Sequence, residues 1–333
     1  MNTVSTGKSA LISGSSTVVR AVSQPRSPLS SSAKGIDMST LSQVLVVSGA
    51  SRGLGRAITE AALRAGHRVV AGVRTTSALD DLAAENPDRL AVVPLDVTDD
   101  GQVAAAIATA LDRFGRLDVL INNAGYANTS AIEDVDFDDF RAQVDTNFFG
   151  VVRLTRAALP VMREQRRGRI VQISSVGGRL ARPGLAAYQS SKWAVTGFSE
   201  VLAREVSPLG IRVTVLEPGG MRTDWAGCSM RIDPVREEYA ATVGAAAALG
   251  SPANLGASDP AKVAALVVEI IDMADPPLRL LVGPDAYRYA TAAGRELLAS
   301  DEKWETASLS TVADDATGEQ LDPLASLNRT GQK

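Results

Sequence analysis

The sequence predicts an α/β fold: a doubly wound parallel sheet of about seven strands with helices on both faces. Three observations predict it. Short apolar runs of strand length alternate with helical patterns from residue 43 to residue 282. Those runs are continuously apolar rather than alternating, as strands covered on both faces are. A glycine-rich turn, Ser48-Gly49-Ala50-Ser51-Arg52-Gly53-Leu54-Gly55, joins the first run to the first helix.

Taken in order, the β-branched run 44–48 is the first expected strand, and a helix follows over 53–65. Residues 68–72 read as a second strand and 90–95 as a third. Val103, Ile107 and Leu111 recur four apart within 99–114, which predicts a helix there. Residues 117–121 read as a fourth strand. A long helix over 137–165 leads to a strand at 169–174, and a helix over 187–209 to a strand at 211–216. A helix at 260–273 and a strand at 278–282 close the series. Right-handed crossovers then give a single sheet. No internal repeat is present.

Composition narrows the classes. The 333 residues are 45% hydrophobic with a net charge of −4, so a large core is affordable and nucleic acid has no electrostatic attraction. No run of about 18 apolar residues predicts a membrane span. One cysteine, Cys228, excludes an internal disulfide and suits a reducing, cytoplasmic setting. With one histidine besides, a Cys/His metal site is not expected. His67 lies in a helix-to-strand turn, Ala-Gly-His-Arg-Val, and reads as structural.

The expected organisation is a leader over 1–40, one domain over 41–300 and a polar tail over 301–333. Residues 1–37 are Ser-rich, carry Lys8, Arg20, Arg26 and Lys34, and hold no acid before Asp37. They read as a disordered leader or start-site artefact ahead of Met38, with an organellar transit peptide as the alternative. Thr6-Gly7-Lys8-Ser9 imitates the end of a phosphate-binding loop, but lacks its first glycine and its strand.

The turn after the first strand reads as a Rossmann-like nucleotide site. Glycines permit positive φ and close approach of backbone to pyrophosphate, and helix N–H groups face the anion. Gly49, Ser51, Arg52, Gly53, Leu54 and Gly55 are the expected cradle. An acid ending the second strand would hold a ribose 2′-hydroxyl and repel a 2′-phosphate. Here the residues are Gly72, Val73, Arg74 and Thr75. Arg74 and Arg52 read as a phosphate clamp favouring NADP over NAD, or else as two solvated arginines. Asp96, followed by Val97, faces the adenine edge or caps the helix after Thr98.

Further along, Tyr188-Gln-Ser-Ser-Lys192 falls 13 residues after Ser175 and 41 after Asn147. Tyrosine and lysine four apart share a helix face, so the ammonium is expected to lower the pKa of the phenol. A lone Tyr-x-x-x-Lys is weak; the ordered set with the glycine turn is not.

Together these residues resemble the short-chain dehydrogenase/reductase family over residues 43–290, the group with Thr-Gly-x-x-x-Gly-x-Gly. Ser48 replaces the usual threonine and keeps its hydroxyl. The resemblance implies that Asn147, Ser175, Tyr188 and Lys192 form a catalytic tetrad, the 13-residue gap selecting Ser175 over Ser174. It implies that Asn122-Asn123-Ala124-Gly125 steadies the sheet and lines the adenine–ribose pocket. Pro218-Gly219-Gly220-Met221-Arg222-Thr223 resembles the loop beside the nicotinamide, with Pro218, Gly219 and Thr223 as cofactor contacts.

The activity so implied is hydride transfer between NADP(H), or NAD(H), and a small-molecule alcohol, ketone or aldehyde. Tyr188 would exchange the proton, Ser175 would hold the substrate oxygen, Lys192 would bind ribose, and Asn147 would bend its helix around a water. Residues 221–258 are expected to form a substrate lid, with Trp225, Met230 and Tyr239 as apolar surface. Tyr126 and Arg182 are further candidate substrate contacts. Homodimers or homotetramers through the two long helices are also implied. A dinucleotide-binding sensor or scaffold without turnover is the rival, and intact Ser175, Tyr188 and Lys192 count against it. A sugar-nucleotide epimerase shares Tyr-x-x-x-Lys but uses another glycine spacing.

Overall fold

The computed structural model describes residues 42–223, 230–249 and 256–324. The expected leader over 1–40, Trp225, Cys228 and residues 325–333 lie outside the described residues.

The seven-stranded sheet has the order β3-β2-β1-β4-β6-β7-β9, every pair parallel. Its strands are β1 (Val44–Ser48), β2 (Arg68–Val73), β3 (Leu90–Pro94), β4 (Val119–Asn122), β6 (Gly168–Ile173), β7 (Ile211–Pro218) and β9 (Arg279–Val282). Successive side chains of a strand point to opposite faces. Leu45 and Val47 accordingly enter one core, against Ile58 of α1 (Gly53–Arg64) and Val267 of α8 (Pro260–Asp272). Val44 and Val46 enter the other, against Ile107 of α3 (Asp100–Phe114), Leu154 of α5 (Gly150–Gln165) and Leu202 of α6 (Ala186–Val206). That double burial is why the strands lack polar alternation.

The chain winds outward in both directions from the β1/β4 boundary, so a crevice opens beyond the carboxyl ends of these two strands. Six of the expected site segments leave such ends: Gly49 after β1, Arg74 after β2, Asp96 after β3, Asn123 after β4, Ser175 after β6 and Gly219 after β7.

Four features depart from the sequence expectation. The helix expected over 137–165 is two helices, α4 (Phe137–Val144) and α5, joined by a π turn at Asp145–Phe149 in which Gly150 N–H reaches the carbonyl of Asp145. Short strands β5 (Ala127–Thr129) and β8 (Met230–Ile232) pair in a second, parallel sheet. A short helix α2 (Asp80–Glu85) follows β2, burying Leu82. Finally α9 (Pro284–Lys303) is a long helix, anchored by buried Ala286 and Ala290 while its later leucines are exposed.

His67 is buried in its turn, where Nδ1 accepts from Gln43 N–H at 3.2 Å; burial pushes its pKa down. It has a structural role, as expected.

Candidate active site

The glycine turn is built by crowding. Gly49 has φ +67°, and a Cβ there would lie 2.9 Å from Ala124 Cα. A Cβ on Gly55 would overlap the carbonyl oxygen of Gly49. Asn123 Nδ2 donates to the carbonyls of Ser48 and Gly49 at 3.0 and 3.1 Å. Ser48 Oγ accepts from the amides of Asn123 and Ala124 at 3.0 and 3.2 Å, so serine does here what threonine would. The turn after β1 is thus tied to the turn after β4.

Helix α1 begins at Gly53 with no side-chain cap, and its first N–H groups face the crevice mouth where anions are favoured. Leu54 is buried in the core, so only its backbone belongs to the cradle; Ser51 is half-buried. Thr223 approaches Gly53, with its Cβ 3.7 Å from where a glycine Cβ would stand. Crowded glycines and an uncapped helix start fit a pyrophosphate.

Arg52 and Arg74 are exposed at this rim. The Asp96 carboxyl is held below the usual range by hydrogen bonds from the Thr98 hydroxyl and amide, with a smaller contribution from the charge of Arg74. Asp96 does not cap α3. Asp99 does, accepting from Gln102 N–H at 3.0 Å. Val97 turns its side chain into the core, where it meets Gly150.

At the other end of the crevice, Asn147, Ser175, Tyr188 and Lys192 come together from three elements. Tyr188 and Lys192 stand on α6, and the Lys192 nitrogen lies 5.8 Å from the Tyr188 ring centre. Ser175, in extended backbone just after β6, hydrogen-bonds the Tyr188 hydroxyl and takes the Gly177 amide on Oγ at 3.0 Å. Lys192 is buried, and Nζ donates to the Ile173 carbonyl at 2.8 Å. Desolvation pushes its pKa down to about 8.

Asn147 sits in the π turn, fully buried. Its Oδ1 accepts from Tyr126 N–H at 3.0 Å, and its Nδ2 donates to the Tyr126 carbonyl at 2.8 Å and to Ser191 Oγ at 3.3 Å. The side chain therefore replaces a strand partner for Tyr126 and ties the turn after β4 to α6. Gly125 lies where these groups converge: a Cβ there would stand 3.0 Å from Asn147 Oδ1 and 3.6 Å from Lys192 Nζ.

One expectation is corrected. Burial raises the pKa of Tyr188, and the hydrogen bond with Ser175 offsets this only in part. The neighbouring lysine is not among the groups that shift it: burial lowers the lysine pKa to about 8, so its proton is gone before the raised phenol ionises.

Of the expected lid, the described parts are partly anchored. The Arg182 guanidinium donates to the Ala246 carbonyl of α7 (Ala245–Leu249), and Val243 is buried against Gly184. Burial holds the Arg182 pKa down. Tyr239 hydrogen-bonds Glu133, which raises its pKa after burial does, so its hydroxyl is engaged away from the tetrad. Tyr126 has its phenol pushed up by burial and Asp139, with Arg231 and Arg74 acting against them.

Two residues were missed. Glu217, fully buried at the end of β7, takes Arg179 at 2.5 Å and Arg279 at 2.5 Å, tying the segment after Ser175 to β7 and β9. Asp285 reaches the loop after β7, where its Oδ2 accepts from Gly220 N–H at 2.7 Å. The signal for Glu217 was an acid directly after the apolar run Val215-Leu216 at the end of a strand; Asp285 carried none beyond its position after Gly-Pro.

With this arrangement described, comparison with known proteins identifies the class. A family model for short chain dehydrogenases matches residues 43–230. The chain belongs to the short-chain dehydrogenase/reductase family and is an oxidoreductase. It is 52% identical to the oxidoreductase BOA17 of Botryotinia fuckeliana over 274 residues, 82% of this chain and all of that one. It is 37% identical to an uncharacterized oxidoreductase of Schizosaccharomyces pombe, covering 74% of this chain and 84% of that one.

Among solved structures, a short-chain dehydrogenase from Streptomyces avermitilis superposes with a TM-score of 0.77 at 41% identity, over 82% of this chain and 99% of that one. A metagenomic short-chain oxidoreductase in complex with NADP gives 0.59 at 28% identity, over 73% and 98%. A Burkholderia phymatum enzyme in complex with NAD gives 0.67 at 25% identity, over 79% and 95%.

Proposed function

We propose that this protein is an NADP(H)-dependent oxidoreductase that interconverts an alcohol and its ketone or aldehyde. The observation that carries the reading is the convergence of Ser175, Tyr188 and buried Lys192, with the Lys192 nitrogen 5.8 Å from the Tyr188 ring centre, at the far end of a crevice that starts at the glycine turn. The turn from Gly49 to Gly55 would hold the pyrophosphate through backbone amides, with Asn123, Ala124 and Gly125 along the adenine–ribose wall and Pro218, Gly219 and Thr223 across from them. A nicotinamide held there would supply or take up hydride.

The residues of the chain manage the proton. In reduction, Tyr188 donates its phenolic proton to the substrate oxygen, and Ser175 holds that oxygen by a hydrogen bond. A phenol kept protonated by burial is ready for this direction. In oxidation the phenolate must form first, and Lys192 stabilises it when charged. Asn147 fixes the backbone of Tyr126 and the register of α6 beneath these groups.

Exposed Arg74 and Arg52 support the preference for a 2′-phosphate, since the second strand ends without an acid. Exposed Phe149, Trp193 and Val201 support self-association through the helices on that face. Among the described residues no helix is long and apolar enough to cross a membrane; the single cysteine supports a reducing, cytoplasmic setting.

The test is a spectrophotometric assay at the reduced-nicotinamide band, with NADPH and NADH, across a panel of alcohols and carbonyls. Turnover with NADPH preferred is expected. A clear preference for NADH would overturn the arginine argument, and no turnover on any substrate despite dinucleotide binding would overturn the enzyme reading.

A further inference from the structure

The last long helix of the fold reaches back to the reacting end of the crevice. Asp285, in the first turn of α9, accepts from Gly220 N–H through Oδ2 at 2.7 Å. Its carboxylate fills the space that a Cβ on Gly219 would need. Gly219 and Gly220 follow Pro218, whose carbonyl lies 3.5 Å from the Ser175 hydroxyl. The carboxylate therefore grips the backbone immediately beside the tetrad.

The same point is the base of the segment spanning 221–258. Ser258 N–H donates to the Gly220 carbonyl at 3.3 Å, and Arg222 N–H to the Ser258 carbonyl at 3.0 Å. A Cβ on Gly220 would stand 2.8 Å from Gly256 Cα. Both ends of the segment thus meet at one glycine pair, with Asp285 beside it.

The arrangement works against stability. Asp285 Oδ1 and Ser258 Oγ are buried without a partner among the described residues, and both crowd Gly283, at 3.0 and 2.5 Å from where its Cβ would be. A buried carboxylate oxygen without a partner is unfavourable. What it provides is rigidity: two successive glycines have wide backbone freedom, and one charge-assisted bond to the second removes much of it. Fixing a loop before its ligand arrives reduces the entropic cost of binding.

We propose that Asp285 is a positioning residue that holds the Gly219-Gly220 loop ready for the nicotinamide half of the dinucleotide. This rests on the functional reading above. The expected signature is selective loss of affinity for that half of the ligand.

The experiment compares wild type, Asp285→Ala and Asp285→Asn by fluorescence titration with NADPH or NADH, whichever wild type binds more tightly. The matching ADP-ribose, which lacks the nicotinamide, is titrated alongside. Asp285→Ala is expected to weaken the dinucleotide about tenfold and the ADP-ribose by less than about twofold. Asp285→Asn keeps an acceptor for Gly220 and is expected to recover affinity to within about threefold of wild type. If Asp285→Ala does not fold, Asp285→Glu, which keeps the charge and displaces the carboxylate, is expected to show the same selective loss.

Unchanged dinucleotide affinity in Asp285→Ala, equal losses for both ligands, or an Asp285→Asn variant as weak as Asp285→Ala would each overturn the proposal while leaving the functional reading intact. A wild-type protein that binds no dinucleotide would overturn that reading, and this one with it.

Discussion

Lys192 Nζ lies 2.8 Å from the carbonyl oxygen of Ile173, the last residue of β6, in a setting dry enough to lower the lysine pKa to about 8. The bond aims the ammonium beneath the Tyr188 ring and joins α6 to the strand that delivers Ser175. The drop from 10.5 corresponds to about 3 kcal/mol of disfavoured charge.

That burial has a pH signature. Between pH about 8 and 10.5 the unfolded chain keeps a proton that the folded one has released, so wild-type stability rises with pH across this window. Lys192→Met removes the penalty and is expected to be about 1–2 kcal/mol more stable than wild type at pH 7, after losing the bond to Ile173. The gap should close above pH about 10. Urea denaturation at pH 7 and 10 measures both, and a variant less stable at pH 7 contradicts the argument.

Under the proposed mechanism, Tyr188→Phe removes the proton donor together with its interaction with Ser175. Turnover is expected to fall by about a thousandfold or more, while dinucleotide affinity stays within about threefold of wild type. Steady-state rates with an established substrate, beside a fluorescence titration, check the two halves separately.

Because burial raises the phenol pKa, the two directions should respond oppositely to pH. The oxidation rate should climb about tenfold per unit below the apparent pKa of the pair, and reduction should fall above it. Profiles of kcat/KM from pH 6 to 10 in both directions test this. An oxidation rate already flat at neutral pH would mean that the phenolate forms readily.

Arg74→Ala should raise the KM for NADPH by about tenfold and change that for NADH by less than about threefold. Parallel losses with both cofactors would show that Arg74 acts on something other than the 2′-phosphate.

Glu217 is fully buried between Arg179 and Arg279, and Arg279 also reaches Glu200 at 2.7 Å. Glu217→Ala leaves half-buried Arg179 without its ion pair and Arg279 with Glu200 alone, and should destabilise the fold by about 2–4 kcal/mol, below the full cost of breaking a wholly buried pair. Chemical denaturation reads this directly; a loss below about 1 kcal/mol would mean that solvent already screens the cluster.

Most of the scaffold was legible because burial on both faces writes a strand as an apolar run, and β1 and, after Arg68, β2 read so. The glycine turn and the Ser175, Tyr188, Lys192 spacing were legible because local backbone and helical geometry dictate them. The π turn was legible only in part: the resemblance implied that Asn147 bends its helix, whereas the apolar pattern did not separate two helices, and the bonds of Asn147 to Tyr126 show what the bend serves. Strands β5 and β8 are three residues each, too short for a period. The raised phenol escaped because spacing reports which charges are near, while burial decides how strongly they act. Asp285 escaped because its partner is 65 positions earlier in the chain.

The meeting of Gly220 with Gly256 has an evolutionary consequence. A chain segment whose two ends are fastened to each other can grow, shrink or change its side chains without displacing the strands outside it. Under the proposed function, preference for one substrate over another could then be rewritten in that excursion alone, while the residues assigned to hydride and proton transfer are inherited unchanged.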